Sequence, residues 1–240
     1  MERNESYFIN MRKFHGRIKY NLINEAIKKI KTPKINVFDI SVGRFGDMHN
    51  YKRSGVDYVY GIDPNKNSIE EAKKRSLEFQ LDKDLKVDTI SNSEIINPNR
   101  MFSLVVCNFT LHYLFESDDF LKNTLNNICK YLSKGGYFIG TSIDGNLLYE
   151  TKKEHYQINF KEGNSYIFTM KDNPSSGLYK TDKLEYKVNF SYFLKLAKQY
   201  NLKLISKKYF KDINWNRDKF NNWENEVSNM YFSFVFVKLK

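Results

Sequence analysis

Short apolar runs separated by helix-length segments recur from residue 11 to about residue 150, and this alternation limits the chain to few folds. Ile35–Ile40 (INVFDI) shows no polar alternation, as expected of a strand covered on both faces. Asp57–Ile62 (DYVYGI) is a second such run. Between them Asp47–Ser54 has the size of a helix, and Gly55 supplies its stop. The next segment carries Ser68 with Glu71 three residues on, a capping-box pattern, and is expected to bury Ile69, Ala72 and Leu77. Strands are expected at Lys86–Ile90 and at Phe102–Cys107 (FSLVVC). Asp118–Leu132 then places Leu121, Leu125, Ile128 and Leu132 on one helical face. Gly135–Gly136 turn the chain into a strand at Tyr137–Thr141. Such an order builds a doubly wound α/β sheet, with right-handed connections and ligands beyond the C-terminal strand ends.

The pattern changes after residue 150. Residues 156–188 read as short strands and loops, including the turn-rich Asn173–Gly177 (NPSSG). A helix at Phe190–Tyr200 leads to a strand at Leu202–Ser206, a polar Trp-containing helix and a closing strand, Tyr231–Val237 (YFSFVFV). Neither a repeat nor a linker is visible. The 240 residues therefore read as one domain, 1–240, with 156–188 as an insertion.

Apolar residues at 41% and aromatics at 16% suit a globular core despite the many Lys and Asn. No stretch approaches the ~20 apolar residues of a membrane helix, and Met1–Asn10 is too polar for a signal peptide. Cys107 and Cys129 lack metal-ligand spacing and read as buried free thiols in a reducing compartment, with no metal site. A net charge of +11 suits a polyanionic partner, although an AT-rich genome enriches Lys and Asn by itself. Basic residues gather at Lys13, Arg17 and Lys19, at Lys28, Lys29, Lys31 and Lys34, and at Lys207, Lys208 and Lys211. These suggest a phosphate path, except that a solvated helix face accounts better for Lys28–Lys34.

The first strand runs into Asp39-Ile-Ser-Val-Gly43-Arg-Phe-Gly46-Asp47, and Asp63 ends the second. A turn with little side-chain bulk lets backbone amides approach a ligand, and an acid ending the next strand can accept both hydroxyls of a ribose. This geometry suits an adenosine cofactor; the alternative for Asp39 and Asp63 is loop capping at strand ends. Residues 41–46 lack the three glycines of a dinucleotide-binding GxGxxG turn.

Residues 39–47 resemble the motif DLGCGKGGD of messenger-RNA cap guanine-N7 methyltransferases. More specifically, Asn108-Phe-Thr-Leu-His112-Tyr113-Leu-Phe115-Glu116-Ser117 resembles that family's QFxxHYxFES, and Leu132–Thr141 (LSKGGYFIGT) its LSPGGYFIGT. Arg12–Lys19 (RKFHGRIK) is similar to RNFNNWIK. The likeness runs from about Arg12 to Lys238. Ile143-Asp144-Gly145 and the short length look like the poxvirus-type branch, where this domain is one part of a larger capping enzyme.

The resemblance implies a class I (Rossmann-like) methyltransferase sheet, mostly parallel with an antiparallel C-terminal strand, and S-adenosylmethionine as cofactor. It places Lys19, Asp39, Ser41, Gly43, Asp63 and Asn108 at the cofactor, with Ser91 or Asn92 near the adenine. It places His15, His112, Tyr113, Glu185 and Tyr231 around the guanine cap, and makes 156–188 the cap-binding insertion. Ser41 and Phe45 stand where the family has glycine, which predicts side chains crowding the cofactor loop. The substrate implied is capped RNA, with other capping-enzyme domains or a stimulatory subunit as further partners and no membrane. The setting implied is intracellular: cytoplasmic or virion-borne in a viral branch, nuclear in a cellular one. Methylation of nitrogen-7 uses a lone pair already free, so no general acid, base or metal is expected, and alignment and electrostatics carry the reaction. Two other readings stay open on sequence: a methyltransferase for another substrate, and a non-catalytic RNA-binding or scaffold module with a decayed cofactor loop.

Overall fold

A computed structural model describes residues 6–78, 85–88, 98–172 and 183–239. The expected turn Asn173–Gly177 and the adenine-side candidates Ser91 and Asn92 lie outside these residues.

A seven-stranded sheet forms the frame, in the order β10-β11-β5-β4-β1-β2-β3. Its strands are β1 (Asn36–Asp39), β2 (Tyr58–Ile62), β3 (Leu85–Asp88), β4 (Phe102–Asn108), β5 (Leu132–Ile143), β10 (Leu202–Tyr209) and β11 (Tyr231–Lys238). Strands β1 to β5 pair in parallel, whereas β11 pairs antiparallel with both β5 and β10. The expected α/β architecture is therefore present, including the antiparallel final strand.

Alternate residues of each parallel strand go to opposite layers, which is why these strands are apolar throughout. Val37, Val59 and Leu104 pack on one side against α1 (Ile9–Lys29), α2 (Met48–Arg53) and α3 (Lys66–Glu78), through Ile23, Tyr51 and Ile69. Phe38, Tyr60 and Val105 pack on the other side, with α5 (Asp118–Tyr131) and α6 (Phe190–Gln199) bringing Leu121, Leu125, Ile128 and Phe193. Ser117 caps α5, its hydroxyl accepting from the Phe120 amide at 3.1 Å.

Several local expectations are corrected. Helix α3 begins at Lys66, and its cap is Asn65, whose side-chain oxygen accepts from the Ser68 amide at 3.0 Å. Ser68 thus sits inside the first turn and caps nothing. Leu77 is 64% exposed, and Ser76 occupies the inward position instead, seven residues after Ile69. Cys107 is fully buried, but Cys129 is only partly so, with its thiol directed at the Tyr200 carbonyl.

The segment after β5 forms a second sheet of four antiparallel strands, β6 (Thr151–Lys152), β7 (Tyr156–Phe160), β8 (Ser165–Met170) and β9 (Leu184–Tyr186). It packs on the frame through Tyr156, Ile158 and Tyr166, which meet Ile143 together with Val227 of α7 (Asn222–Asn229) and Met230.

Candidate active site

The frame's strand order reverses between β1 and β4, and the loop after β1 lies at that switch point. The loop is tied to the sheet by Ile40 N–H to the Val106 carbonyl and by Val42 N–H to the Ile62 carbonyl, both at 3.0 Å. Val42 crosses directly over Gly61, where an added Cβ would meet Val42 Cβ at 2.8 Å. Gly43 turns the loop at φ +51°. Asp63 holds that turn, accepting from the Gly43 amide at 3.0 Å through one oxygen and from Asn65 at 2.9 Å through the other. Loop capping is thus one job of Asp63, and its half-exposed carboxylate still borders a cleft of about 630 Å³ with Ser41, Thr110, Tyr113 and Glu116.

Phe45 does not crowd this cleft. At φ +58° its ring is driven into the core against Tyr51, leaving it 2% exposed. Ser41 does face the cleft, but its hydroxyl is turned back onto the Ile40 carbonyl at 2.6 Å.

Asp39 lies below the loop and outside the cleft, accepting from the Tyr51 hydroxyl at 2.6 Å and the Ser41 amide at 3.3 Å. Burial pushes its carboxyl up to about 7, against the pull of Tyr51, and the neighbouring Asp47 charge adds to the rise. Asp47 is a hub that the sequence reading did not single out. It accepts from Lys19 at 2.6 Å, Asn50 at 2.9 Å and Asn108 at 3.0 Å. Lys19 and Asn108, expected at the cofactor for separate reasons, are therefore joined through one carboxylate.

A second cleft of about 580 Å³ opens beside the first, and Tyr113 lines both. All five residues expected around the guanine line it: His15, His112, Tyr113, Glu185 and Tyr231. Four parts of the chain supply them. His15 comes from α1, His112 and Tyr113 from the short helix α4 (Leu111–Leu114), and Tyr231 opens β11. Glu185 arrives from the second sheet, where β9 pairs it with Tyr166 of β8.

Phe109, in the left-handed region at φ +54°, turns the chain from β4 into α4. It stacks on His15 at 5.4 Å and meets Tyr231 edge-on, also at 5.4 Å. His15 reaches the Ser228 hydroxyl at 3.0 Å. Burial, with help from the Lys19 and Arg217 charges, pushes His15 down to about 3. Burial does the same to His112, so both rings are neutral near pH 7. Burial raises Glu185 to about 7, partly countered by the Tyr166 hydroxyl.

Two buried polar atoms of residues lining this cleft lack a hydrogen-bond partner among the described residues: His112 Nδ1 and Arg12 Nη1. Buried polar atoms are normally satisfied, so such a pair marks a place where a polar ligand completes the bonding. Arg12 was not expected here, although its place one helical turn before His15 and two before Lys19 is readable from the 3.6-residue period. No group of His, Cys, Asp and Glu among the described residues could hold a metal. No helix among them is long and apolar enough to cross a membrane.

Residues 1–235 match the sequence model of the mRNA (guanine-N(7))-methyltransferase domain. The chain is 31% identical over 239 residues to the mRNA cap guanine-N(7) methyltransferase of Schizosaccharomyces pombe, covering 88% of this chain and 65% of that protein. It is 29% identical over 240 residues to the Saccharomyces cerevisiae protein of the same name, covering 87% and 54%. The chain thus spans between about half and two thirds of these relatives. Among solved structures, an S-adenosylmethionine-dependent methyltransferase from Clostridium acetobutylicum superposes with a TM-score of 0.67 at 16% identity, covering 92% and 91% of the two chains, a likeness of fold. The match over nearly its full length means that this chain belongs to the mRNA (guanine-N(7))-methyltransferase family.

Proposed function

We propose that this chain methylates nitrogen-7 of the guanine cap of RNA, using S-adenosylmethionine. The observation that carries the proposal is the junction at Tyr113, which walls both the cleft below Asp63 and the cleft holding Glu185 and His112. A donor in one cleft and an acceptor in the other would meet across that ring.

The first cleft fits the cofactor. Phe45 points away from it, Gly43 has nothing near its Cβ position, and Asp63 keeps lone pairs for a ribose. In this reading Lys19, which lines the second cleft, reaches across to the cofactor carboxylate while staying paired with Asp47, and Asn108 braces the same aspartate. Asp39 sets the loop from beneath, and Ser41 and Gly43 form its floor. When bound, the cofactor supplies a methyl group on a positively charged sulfur.

In the second cleft, Glu185 accepts from the guanine N1–H and exocyclic amine. Two such donors favour the ionised carboxylate and offset the burial that raises it. Neutral His112 offers an N–H to O6, and Tyr113, Tyr231 and the His15–Phe109 stack bound the base. The guanine lone pair needs no deprotonation, so holding its plane in line with the methyl group is what these residues contribute. The second sheet acts as the cap-binding insertion.

The relatives found are fungal proteins. The finer poxvirus-type placement, with a stimulatory subunit or companion capping domains, draws its support from Ile143-Asp144-Gly145. An intracellular place of action follows from the substrate, nuclear or cytoplasmic for a cellular enzyme.

The deciding experiment incubates the protein with unmethylated capped RNA and labelled S-adenosylmethionine, then digests to nucleotides. Label in 7-methylguanosine is expected; label in another nucleotide, or none, overturns the proposal.

A further inference from the structure

Behind the aromatic wall of the guanine cleft lies a notch of about 410 Å³, bordered by Lys211, Ile213, Asn214, Trp215, Arg217 and Asn229. Trp215 is 38% exposed, and its ring rests on Phe14 at 5.6 Å. The notch is fixed rather than loosely hung. Arg217 donates to the Asn229 side chain at 2.7 Å and to the Phe210 carbonyl, and lies over Phe14 at 4.6 Å. Its guanidinium is thereby committed to structure, which leaves Lys211 as the exposed cation at the rim.

The notch and the guanine cleft share a wall. Phe14 separates Lys13 and His15 of the cleft from Trp215, and Phe210, the residue before Lys211, lies 5.0 Å from His15 and stacks on Tyr231. The Arg217 charge reaches His15 across this wall. Lys13, Arg17 and Lys208 are exposed on neighbouring elements, so cations outnumber acids around the notch, whose acidic members are Asp212 on its lining and Asp218 beside Arg217. A partly exposed indole beside the Arg217-held Asn229 and a basic rim is the composition of a single-stranded nucleic-acid platform, where bases stack and cations follow the phosphates.

We propose that this notch receives the RNA just downstream of the cap, with a base against Trp215 and a phosphate at Lys211. The inference rests on the capped-RNA reading of the neighbouring cleft. It divides the substrate into two parts: a guanine read by Glu185, and a sequence-tolerant first stretch of transcript held by stacking and charge.

The test compares KM for a capped dinucleotide and for a short capped oligonucleotide in the wild type, Trp215→Ala, Trp215→Phe and Lys211→Ala. For the oligonucleotide, Trp215→Ala should raise KM about tenfold, with Trp215→Phe intermediate. Lys211→Ala should weaken binding and lower the salt slope by about one. Dinucleotide KM should stay unchanged in all three. Equal KM changes for both substrates, or none for either, overturn the proposal. Anisotropy of labelled uncapped 5′-triphosphate RNA gives an activity-free arm. If the wild type methylates neither substrate, the capping proposal fails, while loss of RNA affinity in Trp215→Ala still supports the notch and unchanged affinity rejects it.

Discussion

His112 Nε2 stands 3.7 Å from Glu185 Oε1, and the two side chains are 7% and 11% exposed. With the imidazole neutral, this is no ion pair, and His112 lends the Glu185 carboxylate no full positive charge.

That isolation sets a pH dependence. Folding raises the Glu185 pKa from 4.5 to about 7, so within that window the native state holds a proton that the unfolded chain releases. Stability therefore falls as pH climbs from 4.5 through 7, and the full cost of a buried carboxylate is present above it. Glu185→Gln should unfold at a higher temperature than wild type at pH 8, by ~1–3 kcal/mol, and match it at pH 5. Cap methylation should drop ~10²-fold or more through lost guanine recognition. A stability difference equal at both pH values would place Glu185 in solvent.

Asp39 is titrated by the same burial but is braced by Tyr51. Tyr51→Phe removes the 2.6 Å bond and should cost about 1–3 kcal/mol. The loss should be greater at pH 8, where Asp39 is ionised, than at pH 5, where its native form is protonated. Urea midpoints at the two pH values measure this. A larger loss at pH 5 would contradict the raised Asp39 pKa.

Asp63→Ala takes away both the ribose acceptor and the clamp on Gly43 and Asn65. Calorimetry with S-adenosylhomocysteine should show affinity reduced by ~10²-fold or more, and Asp63→Asn should fall in between. Normal affinity in the alanine variant would remove Asp63 from the cofactor site.

Phe45→Gly sets backbone strain against packing. A left-handed non-glycine residue costs roughly 1–2 kcal/mol, whereas losing a buried phenyl ring costs about 3–5 kcal/mol. The variant should be less stable by ~2–3 kcal/mol, with S-adenosylhomocysteine affinity unchanged within a factor of three. Tighter binding would mean that the ring does obstruct the cleft.

Phe45 also marks a boundary of what could be read from sequence. The parallel strands were legible because burial on both faces forces continuous apolar runs, and the helices because Leu121, Leu125 and Ile128 repeat at helical spacing. The expectation of a crowded loop failed because the sign of φ at one residue decides where a side chain points, and composition does not carry that sign. Asp47 escaped notice because two of its three partners, Lys19 and Asn108, are distant in sequence and join the nearby Asn50 only in the fold. Lys207 was misjudged for a similar reason. Expected on a phosphate path, it instead donates to buried Asp144 at 2.9 Å and sits among the rings of Phe190, Tyr209 and Phe232. Trp215 gained meaning only when Phe14 was seen to place it behind the guanine cleft.

Glu185 belongs to the small sheet and Asp63 follows β2 of the large one, and the two sheets meet at a seam of Ile143, Tyr156, Ile158 and Tyr166 backed by Val227 and Met230. On the proposed reading, the separation between donor and acceptor is thus a packing dimension, set by side chains outside both clefts. Shaving a methyl group from Ile143 or Ile158 would retune the reaction as a spacer does. Replacing the segment between β5 and α6 would exchange the acceptor while leaving the donor's housing intact. On this architecture, substrate choice is a detachable part.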